Sequence, residues 1–240
     1  MLTFFRDLFS PPRHMILILA AAWIGLALAE KRAGNHNVSK DDLNNITFYG
    51  LIALIIGGRS SFVVQNLSAF IKSPLGIFSI NPDLFDITGG LATAVVVSLI
   101  YGQRKNLEPW STLDALTPFF SILAVGLGLS HLAAGTFFGR ETNLPFGIEL
   151  WNATRHPTQI YETIAALLTF GLIWQRKEYP ASGMIFLTFA ALTAFSQIII
   201  QFFRADTILI FNGINQAQII AWILLAACFI LFEVRLKERE

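Results

Sequence analysis

Eight consecutive residues, Arg155-His156-Pro157-Thr158-Gln159-Ile160-Tyr161-Glu162, put two ionisable side chains (His156, Glu162) and two hydrogen-bonding ones (Gln159, Tyr161) at the head of an apolar run. Pro157 fits a first helical turn, where its missing N–H has no internal partner. Gln159 and Glu162 then share one helical face at i, i+3 spacing. Such a segment is either a polar cap with an aromatic anchor or the polar wall of a binding cavity. Arg59 lies inside a second apolar stretch, LIALIIGGRSSFVVQN. A cation there costs about 2.5–3.5 kcal/mol on insertion scales, so it either snorkels to headgroups or faces a cavity and meets a phosphate or carboxylate. His131 follows Ser130 near the end of GLGLSHLAAG, among small residues that favour close helix packing. Gln197 and Gln201, at i, i+4, point the same way and imply a polar cavity or interhelical hydrogen bonds; Arg204 follows them. Gly89 and Gly90 open a further apolar run and permit close backbone approach.

These groups must be positioned by elements that lie in lipid. The chain has 240 residues, 54% hydrophobic and only 14% charged, against roughly 25% charged in soluble domains. The deficit is concentrated in long apolar runs, and about 20 such residues cross a bilayer. Seven runs qualify as candidate spans: Met15–Ala29, Ile46–Val64, Ile87–Tyr101, Leu116–Ala134, Ile160–Trp174, Gly183–Phe203 and Gln218–Phe232. The first lacks a strong basic leader and is followed by further spans, so it reads as a retained helix. The third and fifth are short for a full crossing. The expected fold is an all-α integral membrane domain over residues 1–240, with a loop segment at about 135–159 on the extracytoplasmic side.

Charge sets the orientation. Ten Lys and Arg residues fall in the loops after spans one, three and five and in the C-terminal tail, in clusters such as GQRKNLEP and WQRKEYP. Six (Arg6, Arg13, Lys72, Arg140, Arg155, Arg204) fall on the opposite side. The positive-inside rule then places the N-terminus outside and the C-terminus in the cytoplasm, which demands an odd number of spans. A net charge of +1 gives no case for nucleic acid. The lone cysteine, Cys228, excludes an intramolecular disulfide or a multi-cysteine metal site and reads as a small hydrophobe.

Taken in order from about Phe48 to Phe232, these segments resemble the prolipoprotein diacylglyceryl transferase family. Tyr49-Gly50 is similar to the family's Tyr-Gly, Arg59 to its Arg after a small-residue pair, and Thr88-Gly89-Gly90-Leu91 to its His-Gly-Gly-Leu. Gly139-Arg140 and Leu144-Pro145-Phe146-Gly147 resemble its Gly-Arg and Leu-Pro-Trp-Gly, residues 155–162 match its Arg-His-Pro-Ser/Thr-Gln-Leu-Tyr-Glu, and QFFR resembles its Glu-Phe-Phe-Arg. The resemblance implies seven spans in a bacterial inner membrane, with the N-terminus outside. It implies transfer of a diacylglyceryl group from phosphatidylglycerol to the lipobox cysteine thiol of a prolipoprotein, forming a thioether and releasing glycerol phosphate, with no metal or organic cofactor. On this reading His131, His156, Tyr49 and Arg204 are expected at the reacting atoms. Arg59, Gly89, Gly90, Gly139, Arg140, Gln159, Tyr161, Glu162, Gln197 and Gln201 are expected along the path of phospholipid and signal peptide.

The chain departs from the family at its charged positions. Where the family signature reads Gly-Arg-x-Gly-Asn-Phe-x-Asn-x-Glu-x-x-Gly, residues 127–139 place Gly128 for the Arg, His131 and Ala134 for the two Asn, and Thr136 for the Glu. Thr88 replaces a His, and Gln197 and Gln201 replace an Arg and a Glu. Loss of one preorganised stabiliser typically costs about 10²–10³ in rate. Three readings follow: a diverged transferase with a rearranged cluster of Arg59, Arg140, Arg204 and His131; a catalytically inactive lipid-binding or accessory subunit; or a transporter or channel.

Overall fold

The computed structural model describes residues 13–78, 84–176, 180–210 and 214–237. Each apolar run lies wholly or largely within a helix. In chain order these are α1 (Arg13–Arg32), α2 (Lys40–Gln65), the short α3 (Leu67–Lys72), α4 (Ile87–Arg104), α5 (Pro109–Ala134), α6 (Thr158–Gln175), α7 (Met184–Ile200) and α8 (Gln216–Lys237). Four are long and apolar enough to cross a membrane: the helical stretch His14–His36 containing most of α1, then α2, α5 and α8. The runs expected to be short form α4 and α6, each of 18 residues. The fold is mostly helical, and two small antiparallel sheets join the helices, β1 (Ile148–Leu150) with β2 (Ala153–Arg155) and β3 (Leu209–Ile210) with β4 (Ile214–Asn215). Strands of two or three residues are too short to leave a period-two signal.

Helix starts follow from local chemistry. The Ser39 hydroxyl accepts the Asp42 N–H at 3.0 Å to cap α2. Asp86 caps α4, accepting the N–H groups of Thr88 and Gly89. Both satisfy donors that a helix N-terminus leaves open.

The chain forms two compact units, Ala33–Thr112 and Met1–Arg32 with Leu113–Glu240. In the first, α2 and α4 pack closely because small residues face each other. A Cβ on Gly57 would lie 2.2 Å from the Thr93 hydroxyl, and one on Gly90 would lie 2.7 Å from the Leu54 carbonyl. Gly89 sits in the same contact, against Ser61.

In the second unit, α7 and α8 share a core of Ala194, Ile198, Ala221 and Leu225. The buried Asp114 of α5 accepts the N–H groups of Gly183 at 2.6 Å and Phe186 at 2.8 Å, so α5 supplies the N-terminal cap of α7. Gly183, at φ +89°, takes the left-handed conformation that entry into α7 requires. The Arg32 guanidinium lies over the Trp174 ring at 3.8 Å and donates to the Trp174 carbonyl, joining the ends of α1 and α6.

Polarity is arranged for lipid. Thr117, Ser121 and Gln159 are fully buried, while Trp23 and Leu168 are 76% and 64% exposed. A water-facing surface would reverse that pattern. The chain is a membrane protein. Arg6, Lys177 and Arg239, which contribute to the charge asymmetry, lie outside the described residues.

Candidate functional site at the end of helix α5

Helix α5 ends at Ala134, and Gly135 (φ +66°) turns the chain out of it. The next residues, 136–140, run across the start of α6 and are fastened there by the 155–162 segment. The Gln159 amide donates to the Thr136 carbonyl at 2.8 Å, and the Thr158 hydroxyl donates to the Phe137 carbonyl at 2.7 Å. Arg155 donates to the Leu150 carbonyl and, at 3.4 Å, to the Gly139 carbonyl and to Glu141. Gly139 crosses His156 so closely that a Cβ would sit 2.3 Å from the His156 carbonyl. A bulge-free hairpin follows. Trp151 and Asn152 both take positive φ between β1 and β2, the conformation that a two-residue turn demands. The Trp151 indole donates to the Gly135 carbonyl at 3.0 Å, pinning the hairpin to the helix end.

This scaffold gathers His131, Arg140, His156 and Arg204 into one network. Gly139 and Arg204 form a β-bridge, with the Arg140 N–H donating to Phe203 at 2.7 Å and the Ala205 N–H donating to Phe138 at 3.0 Å. The Arg140 Nε also donates to the Arg204 carbonyl at 3.1 Å, and the His156 N–H donates to the Arg140 carbonyl at 2.9 Å. His131 Nδ1 meets Glu162 Oε2 at 2.9 Å. Phe137 stacks on the His131 ring at 3.8 Å and 10°, and the Arg204 guanidinium lies 4.1 Å from the centroid of the same Phe137 ring. Two groups that close to one centroid cannot share a face, so the phenyl ring separates the imidazole from the guanidinium. Asp206 takes two hydrogen bonds from Arg204, at 2.8 and 3.0 Å, and neutralises it in place. His156 and Tyr161 form a neighbouring group, 3.3 Å apart, with Phe203 packed against both rings.

The remaining candidates make other contacts. Gln201 donates to Gln197 at 3.4 Å and accepts from Asn215 at 3.0 Å, tying the end of α7 to the entry of α8. The i, i+4 pair therefore makes interelement hydrogen bonds. Tyr49 and Arg59 belong to the other compact unit. Tyr49 packs on Tyr101 at 5.6 Å. Arg59 donates to the carbonyls of Ile77 at 3.0 Å, Leu84 at 2.6 Å and Gly76, and lies over Phe70. It ties Gly76 and Ile77, after α3, to Leu84, before α4.

Phe137 and Asp206 carry no motif in the sequence, and Gly128 is marked there only by standing where the family signature has Arg. Phe137 is one of 22 phenylalanines, and only its stacking between His131 and Arg204 distinguishes it. Asp206 lies two residues beyond Arg204, a spacing that could have flagged an ion pair. Gly128 is held against α6: a Cβ there would lie 2.5 Å from the Thr163 hydroxyl and 3.0 Å from its backbone nitrogen. The position that carries Arg in the family signature is thus a helix-packing contact here.

An apolar exterior, buried amides and hydroxyls, and a polar network at one end of a helical unit define a membrane protein. The chain belongs to the prolipoprotein diacylglyceryl transferase family, whose model matches residues 13–234. That match includes α1, upstream of the motifs that carry the resemblance. The chain is 29% identical over 201 residues to a phosphatidylglycerol–prolipoprotein diacylglyceryl transferase of Clostridium tetani, covering 79% of this chain and 77% of that one. It is 28% identical over 225 residues to the enzyme so named in Lactiplantibacillus plantarum, covering 87% and 79%. It is 30% identical over 201 residues to that of Geobacter sulfurreducens, covering 80% and 72%.

Proposed function

We propose that this chain is a diverged phosphatidylglycerol–prolipoprotein diacylglyceryl transferase that works at the outer face of a bacterial inner membrane. The acceptor is the lipobox cysteine thiol of a prolipoprotein signal peptide. The protein spans seven times with its N-terminus outside, α4, α6 and α7 completing the set, and the segment at about 135–159 is extracytoplasmic. Clustering of Lys and Arg after the first, third and fifth spans supports that orientation. The arrangement of His131, Glu162, Phe137 and Arg204 carries the reading. It keeps a titratable group and a guanidinium at one helix end although the signature arginine is absent. Arg140 is exposed beside them, with its Nε bound to the Arg204 carbonyl. A guanidinium so placed suits the phosphate of an entering phospholipid, which carries the charge that develops on the leaving group.

The test is transfer itself. Purified protein in liposomes containing phosphatidylglycerol labelled in its acyl chains should move label to a synthetic lipobox peptide. The same peptide with Ser for Cys should stay unlabelled. Label remaining wholly on lipid, under conditions where the Clostridium tetani relative transfers it, ends this reading. The close packing of Gly128 on Thr163 and the neutralisation of Arg204 by Asp206 favour a second reading, an inactive family member that binds lipid as an accessory subunit. That reading expects phosphatidylglycerol to copurify with the protein and no rescue of a transferase-deficient cell.

A further inference from the structure

Resting on the transferase reading, we propose that His131 is the general base of the transfer step and that Glu162 is its positioning residue. A carboxylate oxygen only accepts, so the 2.9 Å contact to Glu162 Oε2 assigns the donor role to Nδ1, and in the neutral ring the lone pair is then on Nε2. Nε2 has no hydrogen-bond partner among the described residues. The side chain of His131 is 21% exposed and that of Glu162 only 9%, so the imidazole is the reachable member and the carboxylate stands behind it. Phe137 lies flat on the imidazole and fixes its plane. The same ring holds the Arg204 guanidinium away from the base, and Asp206 rather than Glu162 takes the Arg204 charge. A carboxylate buried behind an imidazole, with the distal nitrogen open, is the arrangement that orients a base and stabilises its protonated form.

The step balances as follows. The acceptor sulfur forms a bond to the glyceryl carbon of the phospholipid while that carbon's bond to the phosphate oxygen breaks. The bonding pair leaves on glycerol phosphate. The thiol proton passes to His131 Nε2 and then to water. No oxidant, reductant or metal takes part.

The experiment uses full-length protein in phosphatidylglycerol liposomes with a lipobox peptide. His131→Ala should lower kcat about 10²–10⁴-fold, and added imidazole should recover about tenfold of that loss by standing in for the missing ring. Glu162→Gln should lower kcat about 10²-fold with KM unchanged, and Glu162→Asp should restore part of it. Transfer by His131→Ala at the wild-type rate, or a loss that imidazole does not relieve, overturns the dyad while leaving the transferase reading standing. No transfer by the wild-type protein overturns both. Should His131→Ala fail to fold, Glu162→Gln decides alone: a fall in kcat with unchanged KM and melting temperature upholds the dyad, and an unchanged kcat overturns it.

Discussion

Arg59, inside one apolar run, and Arg204, just past the end of another, are held in different ways in the two units. Among the described residues, Arg59 donates to three neutral backbone carbonyls, which commits its geometry to a turn. Arg204 is neutralised by Asp206, lies over Phe137 and offers its own backbone to Arg140. The carboxylates differ in the same sense. Asp86 gathers Ser61, Gln65 and two backbone N–H groups, all neutral donors, whereas Glu162 faces an imidazole that can change charge. One region spends its ionised groups on holding a connection. The other pairs His131 with Glu162 and Arg204 with Asp206, and His131 Nε2 has no hydrogen-bond partner among the described residues. A charged side chain in a membrane protein is therefore not evidence for a site until its partners are known, because backbone carbonyls satisfy a guanidinium as readily as a phosphate does.

That contrast breaks most easily at Arg59. Arg59→Ala removes three charge-assisted hydrogen bonds and should cost about 3 kcal/mol, read as a lower midpoint of thermal unfolding in detergent. Bound lipid per folded molecule should not change. Loss of copurifying phosphatidylglycerol with no loss of stability would place Arg59 with the lipid-binding groups and erase the distinction between the regions.

The next largest effect is expected at Gly128. Gly128→Ala pushes a methyl against the Thr163 hydroxyl and backbone, and overpacking of that kind costs about 2 kcal/mol. Pairing it with Thr163→Ala should recover part of the cost. Full stability of Gly128→Ala would mean that α5 and α6 separate readily, leaving room for a larger side chain at the signature position.

The fold was legible where hydrophobicity persisted for many residues. All seven apolar runs lie wholly or largely in helices, and Asp86 and Ser39 sit where caps are chemically required. The loop after α5 was legible as a polar segment but not in its form, because the β1–β2 turn uses Trp151 and Asn152 at positive φ instead of glycine. For the candidate site, residues 155–162 were visible as a motif, though much of its work is mechanical: Thr158 and Gln159 hold the carbonyls of Phe137 and Thr136. The pairing of His131 with Glu162 was hidden, since the two lie 31 residues apart on different helices and no local spacing links them. The role of Asp114 is hidden for the same reason, its partners lying at the head of α7.

Thr158 tests whether that mechanical work supports the dyad. Thr158→Val keeps the shape and removes the bond to the Phe137 carbonyl, at a cost of about 1 kcal/mol. Transfer should fall by more than stability, since Phe137 would no longer be held flat on His131. Equal wild-type and variant rates would show that the stack forms without its anchor.

The smallest effect belongs to Asp86 and depends on pH. The hydrogen bond from Ser61, aided by the N–H groups of Gly89 and Thr88 and by Gln65, holds its carboxyl below the ordinary value of 3.8 against the opposing pull of desolvation. Because the folded carboxyl titrates below the unfolded one, its bonds act in full above the unfolded value and are lost as pH falls through the folded one. Stability should therefore decline at the acid end of the range below pH about 4 and be flat near neutrality. Asp86→Asn should remove that component of the acid dependence, and Ser61→Ala should move it to higher pH, both read from unfolding midpoints across a pH series. His131→Asn should leave this acid component unchanged, because the donors to the Asp86 carboxylate among the described residues, Ser61, Gln65, Thr88 and Gly89, all belong to its own unit. A shift of it by His131→Asn would show that the two regions titrate together, contrary to the division of labour drawn between them.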